Sequence, residues 1–290
     1  MTTYEDRLNI SIPYLYGDGI EIGAGANPNP LIAGVRIYYF DKRTKRELSE
    51  YCNVPIDAVS DVLPMSEIKN LFPNGANFLI ANHVIEHLSN PIKYLVEWIS
   101  YVKKNGYLVL SVPHVDFCPD KGRPVVSLEH LMLDYILERD DAGFESREHT
   151  YSFIMSWIDR GMTENKDKFQ IAKLAHEQAA LDENDIHWHS FNDIRFITLV
   201  RVASIICGRK INIVDFASPD TFTTISEIGI TSEKKRKSLQ DIIIVAQMDC
   251  ANDDNKFYFE KCIIGYIYDL SKKIEKFSEK IKSQTLEFIK

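Results

Sequence analysis

The sequence has no CxxC pair. Its five cysteines, Cys52, Cys118, Cys207, Cys250 and Cys262, are scattered, which offers neither a zinc ribbon nor a disulfide framework and suits a reducing compartment. A basic excess is also missing. The formal net charge is −8, so sequence-independent binding to DNA or RNA, which needs cations to neutralise phosphates, is set aside. No apolar run approaches the roughly 18–20 residues that span a bilayer. The start, MTTYEDRLNI, lacks the basic-then-apolar order of a secretory signal. There is no internal repeat and no low-complexity tract. These absences lead to the expectation of a soluble, cytoplasmic protein with no membrane span and no nucleic-acid partner. The 45% hydrophobic content supplies a sizeable core.

The first 114 residues alternate between strand and helix patterns. GIEIGAG is a short apolar strand ending in glycines, and ANPNPLIAG is a loop whose prolines forbid an immediate long helix. VRIYYFD is a second strand, KRTKRELSEYC a short polar helix and DAVSDVLPM a third strand. NFLIANHVIEHL opens as a fourth strand and breaks near Asn82. NPIKYLVEWISYVKK is an amphipathic helix, and NGYLVLSVPH a turn and a fifth strand. Strand–helix alternation with right-handed crossovers predicts an α/β, doubly wound, mostly parallel sheet covered on both faces.

Residues 115–189 break the pattern. They are polar and contain the helical stretches SLEHLMLDYILE, HTYSFIMSWIDRGM and KFQIAKLAHEQAALDEND. Core character then returns with the helix FNDIRFITLVRVASIICG and the strands KINIVDFA and DIIIVAQM. The expected organisation is a domain over 1–250, interrupted by a largely helical 115–189 insertion that forms an acceptor site, and a 251–290 helical tail packed on the domain or on a second copy as a homo-oligomer contact.

In an open parallel sheet, ligands bind at the carboxyl ends of the strands. Gly23 and Gly25 end the first strand and let backbone approach a ligand closely. Asp41 ends the second strand about 18 residues after Gly23, near the spacing of about 20 expected for a carboxylate that holds a ribose. A dinucleotide site wants GxGxxG opening a helix; here the loop reads GAGANP, without the third glycine. A nicotinamide-dependent (NAD) oxidoreductase is therefore the weaker reading, and a nucleoside without phosphate, S-adenosylmethionine (SAM), the better one.

With these motifs in order, the chain resembles the class I SAM-dependent methyltransferases, in particular the small-molecule group with an HVLEH-type block after the fourth strand. Here that block is HVIEH, followed by a helix and a KKNGY turn before the fifth strand. The resemblance implies a seven-stranded Rossmann-like sheet with S-adenosyl-L-homocysteine (SAH) as product. It implies that Glu21, Gly23, Ala24 and Gly25 line the methionine moiety, with Asn27 replacing a backbone contact. By the same likeness Asp41, beside Lys42, holds the ribose, Asp61 and Val62 flank the adenine, and Asn82 and His83 lie beside the sulfonium. A noncatalytic scaffold on the same fold is the alternative from another class.

Methyl transfer to a hydroxyl needs a base or a metal. His83, His114, His187 and His189 are the candidate bases, and Asp116, Arg123 and His130 the candidate acceptor-binding residues, with Lys121 and Arg123 suited to an anionic group. His87 and Glu86 read as helix-start residues, and His176 as solvated. His130 and Asp134 share a helix face as either a surface pair or metal ligands. His187 and His189 point the same way if extended. His114, Asp116, His130, Asp134, His187 and His189 form the candidate nitrogen and oxygen set for a divalent metal, and Glu148 and His149 add further polar groups. With Trp157 and Trp188 nearby, such a surface suits a saccharide, which points to O-methylation in glycan or natural-product biosynthesis.

Overall fold

The computed structural model describes residues 3–30, 32–53, 61–139, 144–159, 186–220 and 235–249, a few single positions between 167 and 177, and Lys272. The chain divides into two compact units, Met1–Cys250 and Ala251–Lys290. The expected tail helix, its oligomer contact, His176 and most of KFQIAKLAHEQAALDEND lie outside the described residues.

The strands are β1 (Gly17–Ile22), β2 (Val35–Asp41), β3 (Val62–Pro64), β4 (Ala76–Asn82), β5 (Val102–Pro113), β6 (Ile211–Ser218), β7 (Lys235–Lys237) and β8 (Asp241–Met248). They form one sheet in the order β3-β2-β1-β4-β5-β8-β6-β7. β8 runs antiparallel to both neighbours and the other pairings are parallel. The order reverses between β1 and β4, which places a ligand crevice at their carboxyl ends. The sheet has eight strands rather than the expected seven because the three-residue β7 adds to the edge beside β6.

The helices are α1 (Thr3–Ser11), α2 (Lys45–Cys52), α3 (Ile68–Leu71), α4 (Pro91–Tyr101), α5 (Leu128–Ile136), α6 (Phe144–Asp159) and α7 (Asp193–Cys207). Local chemistry sets their starts. Thr44 and Glu47 form a reciprocal capping box on α2, and Asn90, Ser127 and Asn192 cap α4, α5 and α7. Gly208, at φ 69°, ends α7 in the left-handed conformation.

The central strands read as continuous apolar runs because both faces are covered: Phe78, Leu79, Ile80 and Ala81 of β4 and Ile242 to Ala246 of β8 are fully buried. Ile10 of α1 and Leu48 of α2 join Ile37, Tyr39, Phe78, Ile80, Val109 and Val245 in one core cluster. The α1 helix had no signal in the sequence reading; its apolar contribution to this cluster is Ile10. Gly19 of β1 lies beside Phe78 of β4, and a Cβ there would fall 2.1 Å from the Phe78 ring. The missing side chain is what admits the phenylalanine.

The insertion leaves and rejoins the sheet at one place. His114 and Phe191 form an isolated parallel bridge, Val115 N–H donates to Phe191 O at 2.8 Å, and Val126 N–H donates to Ser190 O at 3.0 Å. Phe191 therefore lies beside the end of β5.

Candidate active site

The carboxyl edge of the sheet gathers Gly23 after β1, Asp41 at the end of β2, His83 after β4 and Asp241 at the start of the antiparallel β8. Gly23 and Gly25 have φ of 65° and 52°. A Cβ on Gly23 would meet Val84 Cγ2 at 2.7 Å, whereas one on Gly25 would have nothing within 4 Å. Gly23 is thus packed against the HVIEH segment, and Gly25 faces open space.

Glu21 is buried. Its oxygens accept the Asn29 backbone N–H at 3.0 and 3.1 Å and the Asn29 Nδ2 at 2.8 Å. The loop ANPN is tied back to β1 through this clasp. Burial pushes the Glu21 carboxyl up to about 7 against the lowering pull of Asn29. Asp41 is half-buried, and its Oδ1 accepts Arg43 N–H at 2.9 Å. Burial raises its carboxyl above the ordinary value despite that bond. Ala24 is half-buried, Asn27 and Lys42 are exposed, and Asn27 N–H donates to Ala24 O at 3.0 Å. Asp61 is exposed and its Oδ1 accepts the N–H of half-buried Val62 at 2.9 Å. Asn82 Oδ1 accepts Ser111 Oγ–H at 2.8 Å.

His83 has φ 54°, uncommon for a residue with a side chain. Its Nε2 lies 3.0 Å from Asp241 Oδ1 and its Nδ1 3.5 Å from Glu86 Oε1. Burial alone would lower its pKa, but the nearby Asp241 and Glu86 carboxylates outweigh it and raise the value. Arg7 of α1 reaches the other Asp241 oxygen at 3.2 Å, so the N-terminal helix is tied to this edge. Glu86 is fully buried and neither of its carboxylate oxygens has a hydrogen-bond partner among the described residues. Neither Asp241 nor the burial of Glu86 carries a sequence signal, because each depends on where β8 and the insertion come to rest.

Beyond His83 lies a second polar group. His187 Nδ1 is 2.6 Å from Asp120 Oδ2, and its ring meets His87 edge-on at 4.8 Å. The Nε2/Nδ1 and carboxylate atoms of Glu86, His87 and His187 lie within 4.8 Å of one another. The Asp120 hydrogen bond raises the His187 pKa against the lowering effect of burial. Asp120 is itself held low by His187 and Arg123, which overcome its desolvation.

Several expectations are corrected here. Arg123 does not face solvent to clamp an acceptor. Its side chain is 6% exposed, and it donates to Asp120 Oδ1 at 3.0 Å, His187 O at 2.6 Å and Trp188 O at 3.2 Å. It instead positions the His187 segment. His114 is buried, with Nδ1 accepting Asp116 N–H at 3.2 Å and Nε2 3.9 Å from Asp193 Oδ1; it braces the β5 exit, and exposed Asp116 starts the short helical turn after it. His189 is buried and faces Asp134, whereas His187 faces Asp120, and burial pulls the His189 imidazole down to about 4 against the Asp134 hydrogen bond. The six-residue metal set is divided. His130, Asp134 and His189 converge with His149, while His114, Asp116 and His187 stand elsewhere. Trp157 and Glu148 lie among residues whose side chains are outside the description.

Open space at Gly25, the carboxylate at Asp41 and the polar groups at His83 thus share the carboxyl edge of an α/β sheet. Residues 18–191 match the profile of the family described as "Methyltransferase domain". That is more than half of the chain, and the protein belongs to this family. Solved structures of similar fold include a SAM-dependent methyltransferase, possible histamine N-methyltransferase, from Thermotoga maritima (13% identity, 85% of this chain and 89% of that chain covered, TM-score 0.40). Others are a putative SAM-dependent methyltransferase from Listeria monocytogenes (10%, 84% and 97%, 0.39) and magnesium protoporphyrin IX methyltransferase from Synechocystis PCC 6803 with bound SAH (10%, 84% and 81%, 0.39). No curated protein matches the chain. The chain thus carries a methyltransferase domain over residues 18–191. Among the described residues, no helix is long and apolar enough to cross a membrane.

Proposed function

We propose that the enzyme methylates a hydroxyl of a polar small-molecule acceptor of the saccharide class, with His187 as general base. The observation that carries this reading is the His187–Asp120 pair at 2.6 Å, beside the carboxyl edge of the sheet. Bound SAM supplies an electrophilic methyl on a sulfonium. The Asp120 carboxylate accepts from Nδ1–H and fixes the tautomer whose Nε2 carries a lone pair, as in other carboxylate–histidine pairs. With SAM bound, its methyl would pass to the acceptor hydroxyl oxygen as the thioether leaves, and His187 Nε2 would take the hydroxyl proton. With its side chain 23% exposed, His187 is accessible to an acceptor. His83, set against Asp241 and Glu86, is assigned to orient polar groups near the donor.

Gly23, Ala24, Gly25 and Asn27 are assigned to the methionine arm, Asp41 and Lys42 to the ribose, Asp61 and Val62 to the adenine, and Asn82 and His83 to the sulfonium side. Glu21 acts through Asn29, which it uses to fix the loop. Methyl transfer from labelled SAM to a panel of free and nucleotide-linked sugars tests the proposal. His187→Ala should lower kcat by about 10²–10⁴-fold while SAH affinity, read by calorimetry, is kept. Because the His187 pKa is raised, the wild-type rate should climb with pH above the usual histidine range. Wild-type turnover in the variant removes His187 from the chemistry, and methylation of amines alone removes the hydroxyl acceptor.

A further inference from the structure

Asp134 is the centre of a group that methyl transfer does not use. Its Oδ2 lies 3.3 Å from His130 Nε2, 3.5 Å from His149 Nε2 and 3.3 Å from His189 Nε2, and the His130 and His149 Nε2 atoms are 3.1 Å apart. All four ligand atoms lie within 4.8 Å of one another. Three imidazoles thus aim the same ring nitrogen at one carboxylate oxygen.

Hydrogen bonding accounts poorly for this arrangement. Bonds from N–H to a carboxylate fall at about 2.7–2.9 Å, and every Asp134–histidine distance is longer. If His130 and His149 both donate to Asp134, their two N–H groups collide at 3.1 Å. If one donates to the other, its proton is lost to the carboxylate. Ligands placed tetrahedrally around an ion at 2.0–2.2 Å are, by contrast, about 3.3–3.6 Å apart; the three Asp134 distances fall in that range and the His130–His149 pair, at 3.1 Å, sits just below it, toward a narrower angle. The surroundings also suit a metal ligand. Arg139 Nη1 holds the other Asp134 oxygen at 3.0 Å, leaving Oδ2 as the single inward donor. Asn90 Nδ2 bonds the main-chain oxygens of Asp134 and Arg139 at 2.8 and 3.2 Å. Trp188 stacks on His149 with ring centroids 5.5 Å apart. Asp134, His149 and His189 are buried, whereas the His130 side chain is 36% exposed and provides the entry side.

We propose that His130, Asp134, His149 and His189 bind one divalent ion of the zinc class through three imidazole nitrogens and one carboxylate oxygen. Tetrahedral nitrogen-rich coordination favours zinc over magnesium or calcium, which take six or more oxygens. Four protein ligands close the coordination shell, which marks a structural site rather than a catalytic one. The ligands come from α5, α6 and the 186–191 segment, so the ion staples the insertion together and holds His189 beside Glu86, whose main-chain oxygen accepts the His189 N–H at 3.2 Å. Coordination through Nε2 places the His189 proton on Nδ1, a buried atom with no hydrogen-bond partner among the described residues. The site stands on these four side chains whether or not His187 is the base.

The full chain, freed of any histidine tag, is dialysed with zinc and its metal content measured, then loaded with Co²⁺ for visible spectroscopy. One zinc per chain and the intense absorption of four-coordinate cobalt are expected. His130→Ala, at the half-exposed ligand, and Asp134→Asn, which keeps the side-chain shape, should each weaken zinc binding at least 100-fold in competition with a chromophoric chelator. Circular dichroism confirms that the variants are folded. EDTA should lower the melting temperature of the wild type and leave that of His130→Ala unchanged. A chain that takes up no zinc, a six-coordinate cobalt spectrum, or wild-type affinity in folded His130→Ala would overturn the proposal.

Discussion

Alanine at Gly25 and alanine at Gly23 should fail in different ways, and the difference tests where the cofactor lies. Both glycines have positive φ, 52° and 65°, so either substitution incurs the left-handed strain of about 1–2 kcal/mol. At Gly25 the new methyl has nothing within 4 Å, and that strain is the whole cost to the free protein. At about 2–4 °C per kcal/mol for a domain of this size, the melting temperature should fall by about 2–8 °C. At Gly23 the methyl would sit 2.7 Å from Val84 Cγ2, which adds an overpacking cost of about 1–3 kcal/mol. Gly23→Ala should therefore be the less stable variant. Binding separates them the other way. The Gly25 methyl projects into the space assigned to the methionine arm, so Gly25→Ala, though folded, should lose at least about tenfold in SAH affinity, about 1.4 kcal/mol. Differential scanning calorimetry gives the first quantity and isothermal titration with SAH the second. Wild-type SAH affinity in Gly25→Ala would refute the assignment of this loop to the cofactor, and equal stability of the two variants would refute the steric account of Gly23.

Asp41→Ala removes a charged hydrogen-bond acceptor from the ribose and should weaken SAH binding by about 1.5–3 kcal/mol, roughly 10–150-fold; unchanged affinity by titration counts against its role. Arg209 donates to Ile99 O at 2.6 Å and to Val102 O at the end of α4, and pairs with Asp249 Oδ2 at 2.5 Å. Arg209→Met strands these acceptors and should cost about 2–3 kcal/mol in urea unfolding; a loss under about 0.5 kcal/mol shows that solvent replaces it. Burial lifts Glu21 from 4.5 to about 7, so the folded chain holds that proton more tightly than the unfolded one. Its stabilising contribution is full below the ordinary glutamate range and is lost as pH rises through about 7. The wild type should lose stability relative to Glu21→Gln over that interval, and parallel pH profiles would show that Asn29 keeps the carboxylate ionised throughout.

The sheet was legible in the sequence to the extent that its signals are local. VRIYYFD, NFLIAN and DIIIVAQM became β2, β4 and β8 because apolar runs of that length have few other ways to be buried, and the helices read over NPIKYLVEWISYVKK and FNDIRFITLVRVASIICG became α4 and α7. The antiparallel sense of β8 and the small edge strand β7 carried no such mark, since strand direction depends on the connection rather than on the strand's own residues. The N-terminal α1 escaped notice because its few apolar side chains form no long stripe; Ile10, Arg7 and Asp6 find their partners more than two hundred residues away in β8 and its approach.

By itself the sequence determined the glycine turn, the carboxylate that ends β2 and the spacing between them, because backbone conformation and strand length are settled within a few residues. It also placed His130 and Asp134 one helical turn apart. Only the tertiary structure decided that His149 and His189 would meet them, that Arg123 would be spent on the chain's own carbonyls, and that Asp120 would be set against His187, 67 residues away. Those pairings follow from where the 115–189 insertion closes at His114 and Phe191, and contacts across such a closure depend on the packing of the whole insertion, which no local pattern of residues encodes.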